Sequence, residues 1–398
     1  MIKSYDIVTI GGGLAGSALA KSGAERGYRV LVVERATEFK DRIRGEQLAS
    51  WGAAEAKELG LYDLILESNG NEMAWWDLYI GSGRIGHRDL TATTASGLPN
   101  LTFFHPEMQE ALIEAAETAG AEVRRGARVT AAKPGAEPEV TVEWDGGAET
   151  VSCRMVVAGD GRNSGARRWG GFEARHDENR LQIAGLLFDG MEIAADTARM
   201  SFNVVKGQNA LLFPQGGGRV RSYIASWKAL HPRLQGEAAK GSFVEEAKKI
   251  GVPAEVFEGA EAVGPLATFD GADEYVEHPY RDGIALVGDA AASSDPSWGQ
   301  GLSLTLRDVR TLRDKLIETA DWDAAGHAFA EAHDEYYGRL HTFEDWFTKL
   351  MYEPGEAGIR RRTRLMTGEL NLDEFDPFQS GPESSEADAA TRVGLLGE

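Results

Sequence analysis

At 398 residues the chain exceeds what one hydrophobic core usually supports, so two packed modules are expected. Apolar residues make up 42% and charged residues 26%, a globular balance, and a net charge of −21 disfavours a nucleic-acid partner because phosphates repel such a surface. A lone cysteine, Cys153, excludes an intrachain disulfide and fits a reducing cytoplasm, and no apolar run reaches the ~18 residues of a membrane span.

The first element is Tyr5-Asp6-Ile7-Val8-Thr9-Ile10, a β-rich run that reads as a buried parallel strand. Lys3 and Ala18-Leu19-Ala20 imitate a cleaved leader, but Asp6 and three consecutive glycines argue against one. Leu14 to Arg26 is helix-forming and stops at Gly27, and Val30-Leu31-Val32-Val33 is a second buried strand ending at Glu34. The three make a βαβ unit of about the usual ~30 residues. Trp75, Trp76, Leu78 and Tyr79 suggest strands, Pro106 to Ala119 a helix, and Val123 to Val142 a β-meander. Val151 to Ala158 is a strand holding Cys153 and running into Gly159-Asp160-Gly161. Several strands are expected from Leu181 to Trp227, including a hairpin of Leu211–Pro214 with Val220–Ile224. Arg219 and Arg221 alternate there and suit a carboxylate or phenolate, but read better as a solvated strand face. Gly283 to Val287 is another buried strand, and a helix follows from about Leu302. Residues 322–366 read as helical, and the polar, acidic tail 380–398 as disordered.

Three motifs carry chemistry. Gly11-Gly12-Gly13-Leu14-Ala15-Gly16 is a G-x-G-x-x-G between strand and helix. Gly11 permits the tight turn, Gly13 lets a pyrophosphate approach the backbone, and Gly16 allows close packing of helix on strand. The helix N-terminus at Leu14 and Ala15 offers free N–H groups to phosphate. Glu34, with Arg35 beside it, lies 18 residues after Gly16, where an acid bonds a ribose hydroxyl. A second match, Gly81 to Gly86, lacks a following apolar helix and reads as a turn. The second motif is Gly288-Asp289-Ala290-Ala291, followed by Pro296-Ser297-Trp298-Gly299-Gln300-Gly301. Asp289 ends a strand and suits a sugar or ribityl chain. Gly299 and Gly301 let backbone approach a flat ring, and the helix from Leu302 favours negative charge on it. The third is Gly159-Asp160-Gly161-Arg162-Asn163-Ser164.

In this order and spacing the motifs resemble the single-component FAD-dependent aromatic monooxygenases, the p-hydroxybenzoate hydroxylase-like flavoproteins, over about residues 1–345. The resemblance implies an α/β fold. A Rossmann-type FAD-binding domain (1–70, 101–176 and 269–345) would carry an inserted β-sheet substrate domain (71–100 and 177–268), with C-terminal helices over 346–379. It implies that Gly11, Gly13, Gly16 and Glu34 hold the ADP half of a non-covalent FAD and that Asp289 holds the ribityl chain. Pro296, Trp298, Gly299, Gln300, Gly301 and Leu302 would flank the flavin ring. Asp160 would serve both FAD and the electron donor, NADH or NADPH, and Arg44 would lie near the cofactor phosphates. His105 stands where the family has Arg or Gln, a departure from the pattern. The implied reaction is hydroxylation or epoxidation of an electron-rich aromatic small molecule by O2 through a flavin C4a-hydroperoxide, with no side-chain nucleophile. A cytoplasmic monomer or homodimer is expected.

Trp75, Phe202, Phe213 and Tyr223 are candidate walls of an aromatic pocket, although each suits a core equally. No metal-ligand spacing is present. The rival readings are a prenyl-chain reductase, a flavin-dependent halogenase and a non-enzymatic redox sensor. Trp75-Trp76-Asp77 departs from the Trp-rich G-W-x-W-x-I-P segment of the halogenases.

Overall fold

The computed structural model describes residues 3–43 and 45–397. Its first sheet is built on the βαβ unit of β1 (Lys3–Ile10), α1 (Leu14–Ala24) and β2 (Val30–Glu34). β1 and β2 are parallel, and the long strand Gly147–Ala158 lies parallel on the other side of β1. Ile284–Leu286 extends the sheet beyond that strand, and Glu122–Arg125 extends it beyond β2. Both faces are covered, so Ile7, Val8, Leu31 and Val32 are nearly devoid of solvent contact, which explains their continuous rather than alternating hydrophobicity. The expected meander is partial. Glu122–Arg125 pairs in parallel with β2, and only Arg128–Lys133, Glu139–Trp144 and Gly147–Ala158 run antiparallel in succession.

The second sheet contains Leu181–Asp189, Thr197–Asn203, Gln208–Pro214 and Val220–Trp227, joined by Trp75–Ile80 and Gly83–Asp89 from much earlier in the chain. The second glycine-rich match is therefore the turn and return strand of a hairpin. One face of this sheet packs on the helix Lys240–Ile250 through Leu186, Leu212, Ile224 and Phe243. The opposite face carries Ile183, Leu211, Phe213 and Tyr223. This period-2 division puts one sheet between two separate apolar layers.

Three sequence expectations need correction. Arg221 is not on a solvated face. It pairs across the hairpin with Phe213, so it shares the inward face with that residue, and it is 0% exposed. The tail is not disordered. Ala389–Leu396 is a helix capped by Asp388, and Leu395 and Leu396 are buried against the end of the long helix Trp322–Met351. Arg364 also donates to the Leu395 carbonyl at 3.0 Å and the Gly394 carbonyl at 2.9 Å. Two terminal leucines and this cap outweigh the polar composition. The long helix also runs unbroken through the expected boundary at 345. Among the described residues, no helix is long and apolar enough to cross a membrane.

Candidate functional site

Strand register assembles the three motifs. Ile10 pairs with Ala158, Ala158 with Leu286, and Ile10 with Val33. The strands thus end side by side, and the loops beginning at Gly11, Gly159 and Gly288 emerge together at their carboxyl edge, where open α/β sheets bind ligands.

The first loop is closely built. Gly11 has φ +96°, and a Cβ there would lie 2.6 Å from the Gly159 carbonyl oxygen. A Cβ on Gly16 would lie 1.9 Å from the Gly11 carbonyl oxygen, so that contact is backbone on backbone. Gly13 differs. A Cβ there would meet only Gln109 Nε2 at 3.4 Å, because the space in front of it is open. Gly13 is the N-cap of α1 and supplies no side-chain cap, leaving the first N–H groups of the helix for an anion. Glu34 is buried; its Oε2 accepts the Gly12 N–H at 2.7 Å and its Oε1 the Ala36 N–H at 2.7 Å. Arg35 is exposed and Arg44 lies outside the described residues. His105 Nδ1 donates to the Gly45 carbonyl at 2.8 Å, which fixes that nitrogen as the protonated one.

Asp160 Oδ2 holds the start of the short helix Gly165–Trp169, accepting from Gly165 N at 2.7 Å and Ala166 N at 3.3 Å, while its buried Oδ1 has no partner among the described residues. Asp289 is fixed from behind, since its carbonyl accepts from Arg167 Nη2 at 2.9 Å. Gly301 opens the helix Gly301–Glu318, which also lacks a side-chain cap, and a Cβ there would come no nearer than 3.9 Å to Asp289 Oδ1 and Ser294 Oγ. Gly299 takes the left-handed conformation at φ +68°. Gln300 is locked, receiving Trp51 Nε1 on Oε1 at 3.0 Å and donating to the Trp298 carbonyl at 2.7 Å. Asp295 caps the turn Pro296–Trp298 by accepting the Ser297 N–H at 2.8 Å. Burial, with Asp273 nearby, pushes Asp295 up to about 6.

A cavity of about 910 Å³ joins these loops to the inward face of the second sheet. Leu14, Ala15, His105, Asp289 and the 296–302 loop line one end, and Trp75, Phe213 and Tyr223 line the other. Phe202 does not reach it. It faces the same way as Met200 but packs in the cluster that holds Leu350, Met351 and Tyr352. Sequence reasoning missed Glu46, a buried residue that also lines the cavity. Tyr223 donates to Glu46 Oε2 at 2.9 Å, Arg221 Nε donates to the same oxygen at 2.7 Å, and Arg221 Nη2 bonds Asp41 Oδ2 at 2.9 Å. Burial works against the Arg221 cation, but Glu46 outweighs it and pushes the group up. Burial and Glu46 also push the Tyr223 phenol well up, so it remains a neutral donor. Phe375 and Phe378, in the C-terminal acidic stretch, also line the cavity, and Phe378 stacks on Trp298 at 5.1 Å. Two aromatics within an otherwise polar tail were the available signal.

A family model described as an FAD binding domain matches residues 4–345. The chain belongs to this family. The flavoprotein is an FAD-dependent oxidoreductase, and its residues fit the cofactor: two uncapped helix N-termini, an open cradle at Gly13 and Gly301, and an unpartnered acceptor on Asp160 converge at one sheet edge. Its curated relatives include two chemistries. It is 27% identical to a rifampicin monooxygenase of Streptomyces venezuelae, over 90% of this chain and 74% of that one. It is also 27% identical to a digeranylgeranylglycerophospholipid reductase of Methanopyrus kandleri, over 96% of each chain. Among solved structures, the p-nitrophenol 4-monooxygenase PnpA of Pseudomonas putida shares the fold of the flavoprotein, with TM-score 0.77, 18% identity and 99% of each chain covered.

Proposed function

We propose that the flavoprotein is a monooxygenase that hydroxylates or epoxidises an electron-rich aromatic small molecule, using O2 and NADH or NADPH. The observation that carries this reading is the single cavity in which the three FAD loops face an aromatic wall. Rifampicin monooxygenase and a ubiquinone hydroxylase of Rhodospirillum rubrum among the relatives support it.

Bound there, FAD would accept a hydride from NAD(P)H and activate O2, so that one oxygen atom enters the substrate and the other leaves as water. The protein's residues supply the setting. Residues 1–70, 101–176 and 269–345 hold the cofactor, and 71–100 with 177–268 hold the substrate. Gly11, Gly13 and Gly16 shape the pyrophosphate turn, and Glu34 receives a ribose hydroxyl on lone pairs left over from Gly12 and Ala36. Asp160 Oδ1 and Asp289 accept from the cofactor. Gly299 and Gly301 admit the ring edge, and the N–H groups at the start of the helix Gly301–Glu318 stabilise negative charge on it. Trp75, Phe213 and Tyr223 wall the reacting face and would exclude water from it.

The reductase relatives support a second reading, reduction of a prenyl C=C bond in the same cavity. The two are separated by measuring NAD(P)H, O2 and H2O2 together on the yellow holoprotein, with a panel of phenols and polyketide-like aromatics. Substrate-dependent O2 uptake with oxygen recovered in product is expected. Reduction of a C=C bond without O2, or a requirement for halide, overturns the monooxygenase reading.

A further inference from the structure

Among the described residues lining the cavity, Asn209, Ser297 and Gln379 each have a buried side-chain polar atom with no hydrogen-bond partner. Ser297 belongs to the loop expected to flank the flavin, and Gln379 to the C-terminal segment. Asn209 alone stands on the substrate sheet. It is 3% exposed and sits in the strand Gln208–Pro214 at the parity of Leu211 and Phe213, on the inward face. Its Nδ2 donates to the Tyr352 hydroxyl at 2.6 Å, and Tyr352 is fully buried against the edge of Trp298. One half of the amide is thus clamped, which fixes where the other half lies. Oδ1 is the half without a partner.

A buried acceptor left unpaired costs ~1–3 kcal/mol, so its persistence in a binding cavity marks a place where a ligand atom completes the bond. The surroundings define that ligand. Ile183, Leu211, Phe213, Phe269 and Phe347 line this part of the cavity and offer carbon. Arg88, which the sheet also presents to the cavity, is held by both oxygens of Asp376 at 2.9 and 2.7 Å. Its charge is therefore already compensated. We propose that Asn209 is the residue that selects the substrate, by accepting a hydrogen bond from a hydroxyl or N–H donor on an uncharged, largely aromatic molecule. This rests on the cavity being the substrate site of a flavoprotein, as argued above.

The test uses holoprotein with FAD bound, titrated with 2-naphthol, 2-methoxynaphthalene, 2-methylnaphthalene and 2-naphthoate, and followed by the change in flavin absorbance and by equilibrium dialysis. Wild type is expected to bind 2-naphthol about tenfold or more tighter than the other three, since only it offers a neutral donor. Asn209→Leu, close to isosteric, is expected to lose that preference and to favour 2-methylnaphthalene. Asn209→Asp keeps an acceptor, is expected to retain the order, and serves if the leucine variant does not fold. The proposal is overturned if Asn209→Leu keeps the wild-type ratios, if wild type prefers the ether or the naphthoate, or if FAD-loaded wild type binds none of the probes. A purified protein that takes up no FAD instead overturns the functional reading beneath the proposal, and the flavin spectrum reports this before any probe is added.

Discussion

The Glu34 carboxylate accepts the Gly12 N–H at 2.7 Å, tying the end of β2 to the glycine turn after β1. The acid expected to bind a ribose is therefore also a strut of the loop that receives the pyrophosphate. Charge-assisted bonds of this kind contribute roughly 1.5–3 kcal/mol. Glu34→Ala should weaken FAD binding by about 10- to 100-fold, whereas Glu34→Gln, which keeps one acceptor, should lose less. Dialysis of the holoprotein against apoprotein variants would measure both. Equal affinity in the alanine variant would show that neither role matters.

Two glycines with the same local motif should behave differently. Gly13 borders open space at an uncapped helix N-terminus, and Gly83 lies in a hairpin where a Cβ would meet only the Ile80 carbonyl at 3.6 Å. Gly13→Val should abolish FAD binding while the apoprotein keeps its fold, because the new side chain fills the pyrophosphate's place. Gly83→Val should leave FAD affinity within about twofold of wild type. Flavin content and far-ultraviolet circular dichroism of the two variants decide the matter, and the reverse pattern would sink the assignment.

Arg221 is buried with Glu46 and Asp41. Removing one member of a buried ion pair leaves an uncompensated charge and typically costs ~3–5 kcal/mol. Arg221→Met should lower unfolding stability by about that amount. The double variant Arg221→Met with Glu46→Gln should recover much of the loss, because the stranded carboxylate is gone. Urea unfolding of wild type, both single variants and the double variant provides the comparison, and additive losses would contradict the coupling.

Burial holds Asp295 at about 6, above the ordinary carboxylate value. The raised folded value makes the native state bind more protons than the unfolded one between about pH 4 and 6. Stability from this group is therefore complete below the unfolded value and declines as pH rises through the folded one, by roughly 2–3 kcal/mol. Asp273 and Glu344, both also pushed up by burial, act on it, as do Arg180 and Tyr352, while Asp177, Tyr337 and His341 act on Asp273 beside it. Asp295→Asn keeps an acceptor for Ser297 N and removes the titration. Relative to wild type, the variant should gain stability between pH 4 and pH 7, and a difference that stays constant with pH would contradict the assignment.

By itself, the sequence determined the local units and their chemistry. β1, the glycine turn, α1 and β2 are adjacent in the chain, and their conformations follow from side-chain bulk, period and backbone freedom within ~30 residues. The loops at Gly159 and Gly288 were legible for the same reason. What the sequence left open depended on partners distant in the chain. Register brought those loops together, by aligning Ile10, Ala158 and Leu286. Pairing with Phe213 turned Arg221 inward, toward a Glu46 whose importance no local pattern marks. Phe202 and Phe213 share a sheet, a chemistry and one apolar cluster, yet only Phe213 lines the cavity. The C-terminal helix folded against the same layer despite a composition that predicts disorder, since two leucines suffice when a complementary apolar surface already exists. Local pattern sets which conformation a segment adopts; which face meets the cavity is settled only when the sheets and helices pack, because burial is a property of the partner as much as of the residue.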